Sequence, residues 1–128
     1  MASIVVAGDD ADIRELIVFT LERRGYAVHA AGSGDVALEL ARSVAPQLVV
    51  LDVMMPGLTG LEVARELRGD PSTASIPIVI LSAQGQAAEI EAGLASGAES
   101  YLVKPFTPRE LGERVGALLG GTDSEAPR

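Results

Sequence analysis

The chain predicts an α/β domain built on one doubly wound, five-stranded parallel sheet with helices on both faces. Three observations carry the prediction. Short apolar runs alternate along the chain with stretches of helical periodicity, five of each. The runs are unbroken and branched, as in Leu48-Val49-Val50-Leu51, which suits strands buried on both sides. Hydrophobic residues make up 48% of the chain but aromatics only 3%, so the core must be aliphatic, with branched residues in the sheet and Ala and Leu on the helices.

Each element follows in turn. Ser3 to Ala7 (SIVVA) is a short buried strand that ends in Gly8-Asp9-Asp10. From Asp10 to Arg24, residues Ile13, Leu16, Ile17, Thr20 and Leu21 recur at helical spacing, and Gly25 is the stop. Tyr26 to Ala30 (YAVHA) alternates as a second strand, with the single histidine, His29, at a surface or sheet-edge position. Ser33 caps a helix running through Val36, Leu38, Leu40 and Ala41 and closed by Pro46. The third strand runs straight into Asp52 and a Met-Met-Pro-Gly turn. Thr59-Gly60-Leu61-Glu62 is a capping box opening a helix to about Arg68, and Gly69-Asp70-Pro71-Ser72 breaks it. Ile76 to Leu81 (IPIVIL) is the fourth strand, ending at Ser82-Ala83, and residues 85–96 read as a weaker helix with two internal or terminal glycines, Gly93 and Gly97. Tyr101-Leu102-Val103 is the fifth strand, terminated by Lys104-Pro105. Thr107-Pro108-Arg109-Glu110 is a second capping box with proline at the first helical position, and its helix is expected to end at Gly120-Gly121.

At 128 residues the chain is expected to form one domain, residues 1–121, followed by a polar tail or linker start, 122–128. A formal charge of -8 and a pI near 4.5 argue against direct binding to nucleic acid. The absence of cysteine removes disulfides and thiolate zinc sites. The start, MASIVVAG, lacks the basic flank and long apolar core of a signal peptide, and no stretch has the length of a bilayer span. A soluble, cytoplasmic protein without membrane partners is therefore the expectation.

Strand-helix alternation calls for right-handed crossovers, and for five units the common strand order is the flavodoxin-like 2-1-3-4-5. Its ligand crevice lies outside the carboxyl ends of strands 1 and 3. Those strands end at Asp9 and Asp52. Alone, Asp52 would read as an exposed turn residue and Asp9-Asp10 as an acidic pair at a helix N-terminus. Ser82, Lys104 and Tyr101 would likewise pass as ordinary strand-end residues. Topology brings them to one rim.

Four segments, DDADIREL after strand 1, LDVMMPGLTG from strand 3, ILSA at the end of strand 4 and YLVKPFTPREL across strand 5, stand in this order along the chain. Together they resemble the receiver domain of bacterial two-component response regulators. The resemblance implies that Asp52 accepts a phosphoryl group from a sensor histidine kinase or a phosphotransfer protein, so the chain would be a signalling switch and not an enzyme. It further implies that Asp9, the Asp52 carboxylate and the Met54 backbone carbonyl bind Mg²⁺. Ser82 and Lys104 would contact the phosphoryl oxygens, and Tyr101 would turn inward as Ser82 is drawn to them. Ile13 and Arg14, with Pro105 and Phe106, fall where family members dock the kinase.

Two departures from the family pattern stand out. Receivers carry two successive acids at the end of strand 1, and the first position here is Gly8. Taking Asp9-Asp10 as the pair would misplace the DIREL match. Loss of an acid that orients metal-bound water implies weakened Mg²⁺ binding, and the competing function is a receiver-like interaction module with impaired or absent phosphorylation. The second departure concerns homodimerisation through the face of the fourth predicted helix, strand 5 and the last helix. Glu110 and Arg114 fit that route, but the acidic pair before the tyrosine reads Glu99-Ser100, and residues 90–95 offer no Lys or Arg. A flavodoxin-like redox enzyme would need a Ser/Thr/Gly-rich phosphate loop after strand 1, where this chain has acids.

Overall fold

The computed structural model describes residues 2–83 and 97–119. In chain order it contains β1 (Ser3–Ala7), α1 (Ala11–Arg23), β2 (Ala27–Ala31), α2 (Gly34–Val44), β3 (Leu48–Asp52), α3 (Gly60–Gly69), β4 (Ile78–Ala83), β5 (Ser100–Lys104) and α4 (Pro108–Leu118). The helix expected over residues 85–96, and the stop at Gly120-Gly121, lie outside the described residues. All strands are parallel, in the order β2-β1-β3-β4-β5. This is the expected topology, with His29 on the edge strand β2.

Alternation along the strands divides the core in two. Val5, Ala7, Val49 and Leu51 face one side, where α2 and α3 cover them with Ala37, Ala41, Val63 and Leu67. Ile4, Val6, Leu48 and Val50 face the other side, against Ile17 and Leu21 of α1 and Leu111 and Val115 of α4. Every residue of β3 is buried, as the unbroken apolar run required.

The helix ends are closed by the caps the sequence contains. Asp10 Oδ1 accepts from the Asp12 and Ile13 amides, and Ser33 Oγ accepts from Val36 N. Both capping boxes form, Thr59 with Glu62 and Thr107 with Glu110. Gly25 takes φ +96 after α1. Helix α2 stops one residue before Pro46, at Ala45, which adopts φ 53, a left-handed conformation that its composition gave no reason to expect.

Several boundaries differ from expectation. Strand β4 starts at Ile78 and not Ile76, because Ile76 N closes a turn onto Thr73 O and Pro77 has no amide to donate. It also runs on to Ala83. Strand β2 is displaced by one residue, and β5 takes in both Ser100 and Lys104. Leu16 and Val36 are exposed, since each lies beside the inward arc of its helix and not on it.

At the sheet's amino edge, Arg68 ties three segments together. Its guanidinium donates to the carbonyls of Gly97 (2.9 Å), Ala74 (2.8 Å) and Ile76 (2.8 Å), and to Glu99 Oε1 (2.5 Å). Glu99 Oε1 also accepts from Ile78 N, so the entries to β4 and β5 share one carboxylate. Nearby, hydrogen bonds from Ser72 hold the Asp70 carboxyl below the usual carboxylate range, with Arg42 adding to the effect.

Candidate phosphoacceptor site

The carboxyl ends of β1, β3, β4 and β5 meet at one rim. Ala7 pairs with Leu51, so Gly8 stands across from Asp52; Asp52 pairs with Leu81, and Ala83 with Lys104. Asp52 is only 3% exposed. Lys104 Nζ reaches over β4 to both of its oxygens, at 3.2 Å from Oδ1 and 3.0 Å from Oδ2. Met54 N donates to Oδ1 at 3.2 Å, curling the start of the β3–α3 loop back over the strand end. The lysine donates to both oxygens, which offsets the cost of burying the carboxylate.

The loop around it is shaped by glycine. A β-carbon on Gly60 would lie 2.4 Å from the Asp52 carbonyl oxygen, so only glycine lets the first turn of α3 pack against β3 here. Gly60 N donates to Val53 O at 3.1 Å, which locks that approach. Gly57 takes φ +75 in the turn before the helix.

Ser82 is wholly buried, and its Oγ has no hydrogen-bond partner among the described residues. A buried hydroxyl without a partner is unfavourable by about 1–3 kcal/mol. Ser82→Ala is therefore expected to leave the resting domain as stable as before or up to ~2 kcal/mol more stable in denaturant titration. A loss greater than ~1 kcal/mol would mean that the hydroxyl has a partner in solution.

The two acids after β1 play different parts. Asp10 gives its carboxylate to the amides of α1, whereas Asp9 is exposed and makes no hydrogen bond or ion pair among the described residues. Gly8 is buried, and a β-carbon on it would meet Asp52 Cβ at 3.5 Å and Oδ2 at 3.6 Å, ordinary contacts. Position 8 therefore adjoins the carboxylate and has room for a side chain. Met54 is 64% exposed at the same rim.

Other residues singled out in the sequence lie around this centre. Tyr101 is exposed on β5, and its carbonyl accepts from Arg114 Nη1, which also donates to Ser100 Oγ at 2.7 Å. The Lys104–Pro105 peptide is cis. Ile13 and Phe106 are partly buried against the α1–α4 core, and Pro105 is exposed. Arg14 turns to the rim, with Nη1 2.6 Å from the Gly8 carbonyl. Sequence reasoning passed over Phe19, 59% exposed on α1 beside Leu16, with Arg23 stacked 5.6 Å from its ring centre. The available signal was an aromatic residue outside the inward arc of an amphipathic helix.

A doubly wound sheet of order 2-1-3-4-5 with a lysine-paired carboxylate at its β1/β3 crevice is an α/β domain whose polar site lies where such sheets place their ligands. The response regulator receiver domain family matches residues 4–116, and the chain belongs to it. It is 41% identical over 122 residues to the DNA-binding response regulator MtrA of Mycobacterium tuberculosis, covering 95% of this chain and 52% of that protein. It is 42% identical over 128 residues to the phosphate regulon transcriptional regulatory protein PhoB of Pseudomonas aeruginosa, covering 98% and 56%. The chain thus spans about half the length of the curated relatives it matches. Among solved structures, the receiver domain of Francisella response regulator 1452 superposes with a TM-score of 0.86 at 34% identity, covering 95% of this chain and 99% of that one. The chemotaxis response regulator CheY4 of Vibrio cholerae gives 0.87 at 31%, covering 92% and 98%. The chain is a receiver domain of two-component, phosphorelay signalling. No helix among the described residues is long and apolar enough to cross a membrane.

Proposed function

We propose that Asp52 takes a phosphoryl group from a histidine of a sensor kinase or phosphotransfer protein, and that the added charge repacks a partner-binding face. The observation that carries this reading is the pairing of Lys104 with both oxygens of a buried carboxylate, beside a buried hydroxyl without a partner among the described residues. An Asp52 oxygen attacks phosphorus in line, the bond to the donor imidazole breaks, and its electron pair returns to the imidazole nitrogen. Lys104 then follows the negative charge from the carboxylate to a phosphoryl oxygen, and Ser82 Oγ gains an acceptor. Tyr101, on the neighbouring strand β5, turns toward the space that Ser82 leaves. The domain is a switch and not an enzyme, because it is itself the group that changes.

The donors at the rim fit Mg²⁺. Among the described residues no group of three or more His, Cys, Asp or Glu is placed to hold a metal. Mg²⁺ needs only one or two carboxylates plus phosphate oxygens and waters. Asp9, Asp52 and the Met54 carbonyl would hold it, and when bound it neutralises charge between the attacking carboxylate and the incoming phosphoryl oxygens.

Exposure to acetyl phosphate with Mg²⁺ is expected to add the mass of one phosphoryl group, mapped to Asp52. Under the same conditions Ser82→Ala is expected to slow the transfer. The second reading, an interaction module with weak or no phosphorylation, is favoured by Gly8. Gly8→Asp, for which the rim has room, is expected to raise Mg²⁺ affinity by about 10- to 100-fold, the usual weight of a group that orients a metal's waters. An unchanged calorimetric affinity would refute that account. No adduct in either the native chain or Gly8→Asp would establish the interaction module.

For the kinase, the exposed Leu16 and Phe19 with Arg23 supply an apolar, basic surface on α1 beside Pro108 and Arg109, while Ile13 and Phe106 pack partly against the core. For a homodimer through the β5–α4 face, Glu99, Glu110 and Arg114 are each already engaged within the chain, so such a pairing would be weak. With a formal charge of -8, this domain makes no direct contact with nucleic acid in this reading.

A further inference from the structure

We propose that Arg14 is a positioning residue of the acceptor site, fixing Asp9 through the backbone of Gly8; the proposal rests on the Mg²⁺-assisted reading above. The Gly8–Asp9 peptide joins β1 to α1 at the point where the chain turns over Asp52. Its first residue is glycine, which has the widest backbone freedom of any residue and no side chain to anchor it. Two hydrogen bonds supply the anchoring. Gly8 N donates to Ala31 O at 3.0 Å, and Arg14 Nη1 donates to Gly8 O at 2.6 Å in a part-buried setting.

The second bond matters more for the site. A peptide unit is planar, so holding the Gly8 carbonyl fixes the plane that also contains the Asp9 amide and Cα. Asp9 has no other anchor among the described residues, since the cap of α1 is supplied by Asp10. The direction from which Asp9 offers its carboxylate is therefore set by the Arg14 guanidinium, one helical turn along α1. A position 3.5 Å from Arg14 Nη1 is also where a β-carbon on Gly32 would fall, so the guanidinium sits between the β1–α1 loop and the end of β2 and does not swing free in solvent.

This role makes a prediction that kinase docking by Arg14 does not. Acetyl phosphate and Mg²⁺ need no contact with α1. Arg14→Met keeps the apolar stem and removes the donor; Arg14→Lys keeps a donor. With the unphosphorylated chain in a calorimeter, Arg14→Met is expected to lower Mg²⁺ affinity roughly tenfold, and Arg14→Lys to recover most of it. Adduct formation from acetyl phosphate should slow in parallel. In the native chain the Arg14 guanidinium protons should exchange slowly by NMR, a measurement that stands even where Arg14→Met fails to fold. Fast exchange there overturns the proposal. So does an Arg14→Met affinity within about twofold of the native value, with only kinase-dependent phosphorylation lost. A native chain that binds no Mg²⁺ overturns the reading of the site and this inference with it.

Discussion

Replacing Asp52 by asparagine is expected to abolish the phosphoryl adduct from acetyl phosphate, with intact mass unchanged after prolonged exposure. Asparagine preserves shape and can still accept from Met54 N, so the loss isolates the nucleophilic carboxylate from its scaffold. The fold should survive. Removing one partner of a fully buried ion pair is destabilising by about 3–5 kcal/mol. Here Lys104 keeps 25% of its side chain exposed and can turn to water, so a loss of about 1–2 kcal/mol in denaturant titration is expected instead. An adduct persisting in Asp52→Asn would place the acceptor on another residue.

Gly60→Ala tests the scaffold behind that carboxylate. Alanine favours a helix over glycine by about 1 kcal/mol, and at Gly69, where nothing lies within 4 Å, the change should be neutral or stabilising. At Gly60 the added carbon would stand 2.4 Å from the Asp52 carbonyl oxygen, which is backbone and cannot rotate aside. A net loss of about 1–3 kcal/mol is expected, read as a fall in Tm against the Gly69→Ala control. Because the strain falls on Asp52 itself, phosphorylation by acetyl phosphate should slow by about 10- to 100-fold, since small misplacements of a reacting group cost rate steeply. Equal stability of the two variants would show that the helix start relaxes away from β3.

Much of the fold was legible because local signals agreed with global ones. The run Leu48–Leu51 could satisfy its side chains only in a doubly covered sheet, and both Thr-x-x-Glu boxes mark helix starts by chemistry that needs no tertiary contact. Asp9 and Asp52 were brought together by topology alone, before any resemblance was used. What stayed hidden depends on three-dimensional approach. Ala45 adopts a left-handed conformation with no compositional cue. Gly60 looks like any residue after a cap until its distance to Asp52 is known. Arg14 was assigned a partner outside the chain, because a sequence does not show which way a guanidinium on a helix turns; it turns inward, onto Gly8. The start of β4 was misjudged because the apolar run continues back through Pro77, whereas the ladder of amide donors does not.

Strand β5 closes one side of the sheet, and a bordering strand with open carbonyls and amides invites another chain to add itself. Arg114 reaches from α4 to take the carbonyl of Tyr101 and the hydroxyl of Ser100, filling part of that row with a charged, bulky side chain. The border on which Tyr101 is proposed to turn is thus also made unwelcoming to further strands. Movement at Tyr101 under the proposed switch would then expose less of an open strand to aggregation.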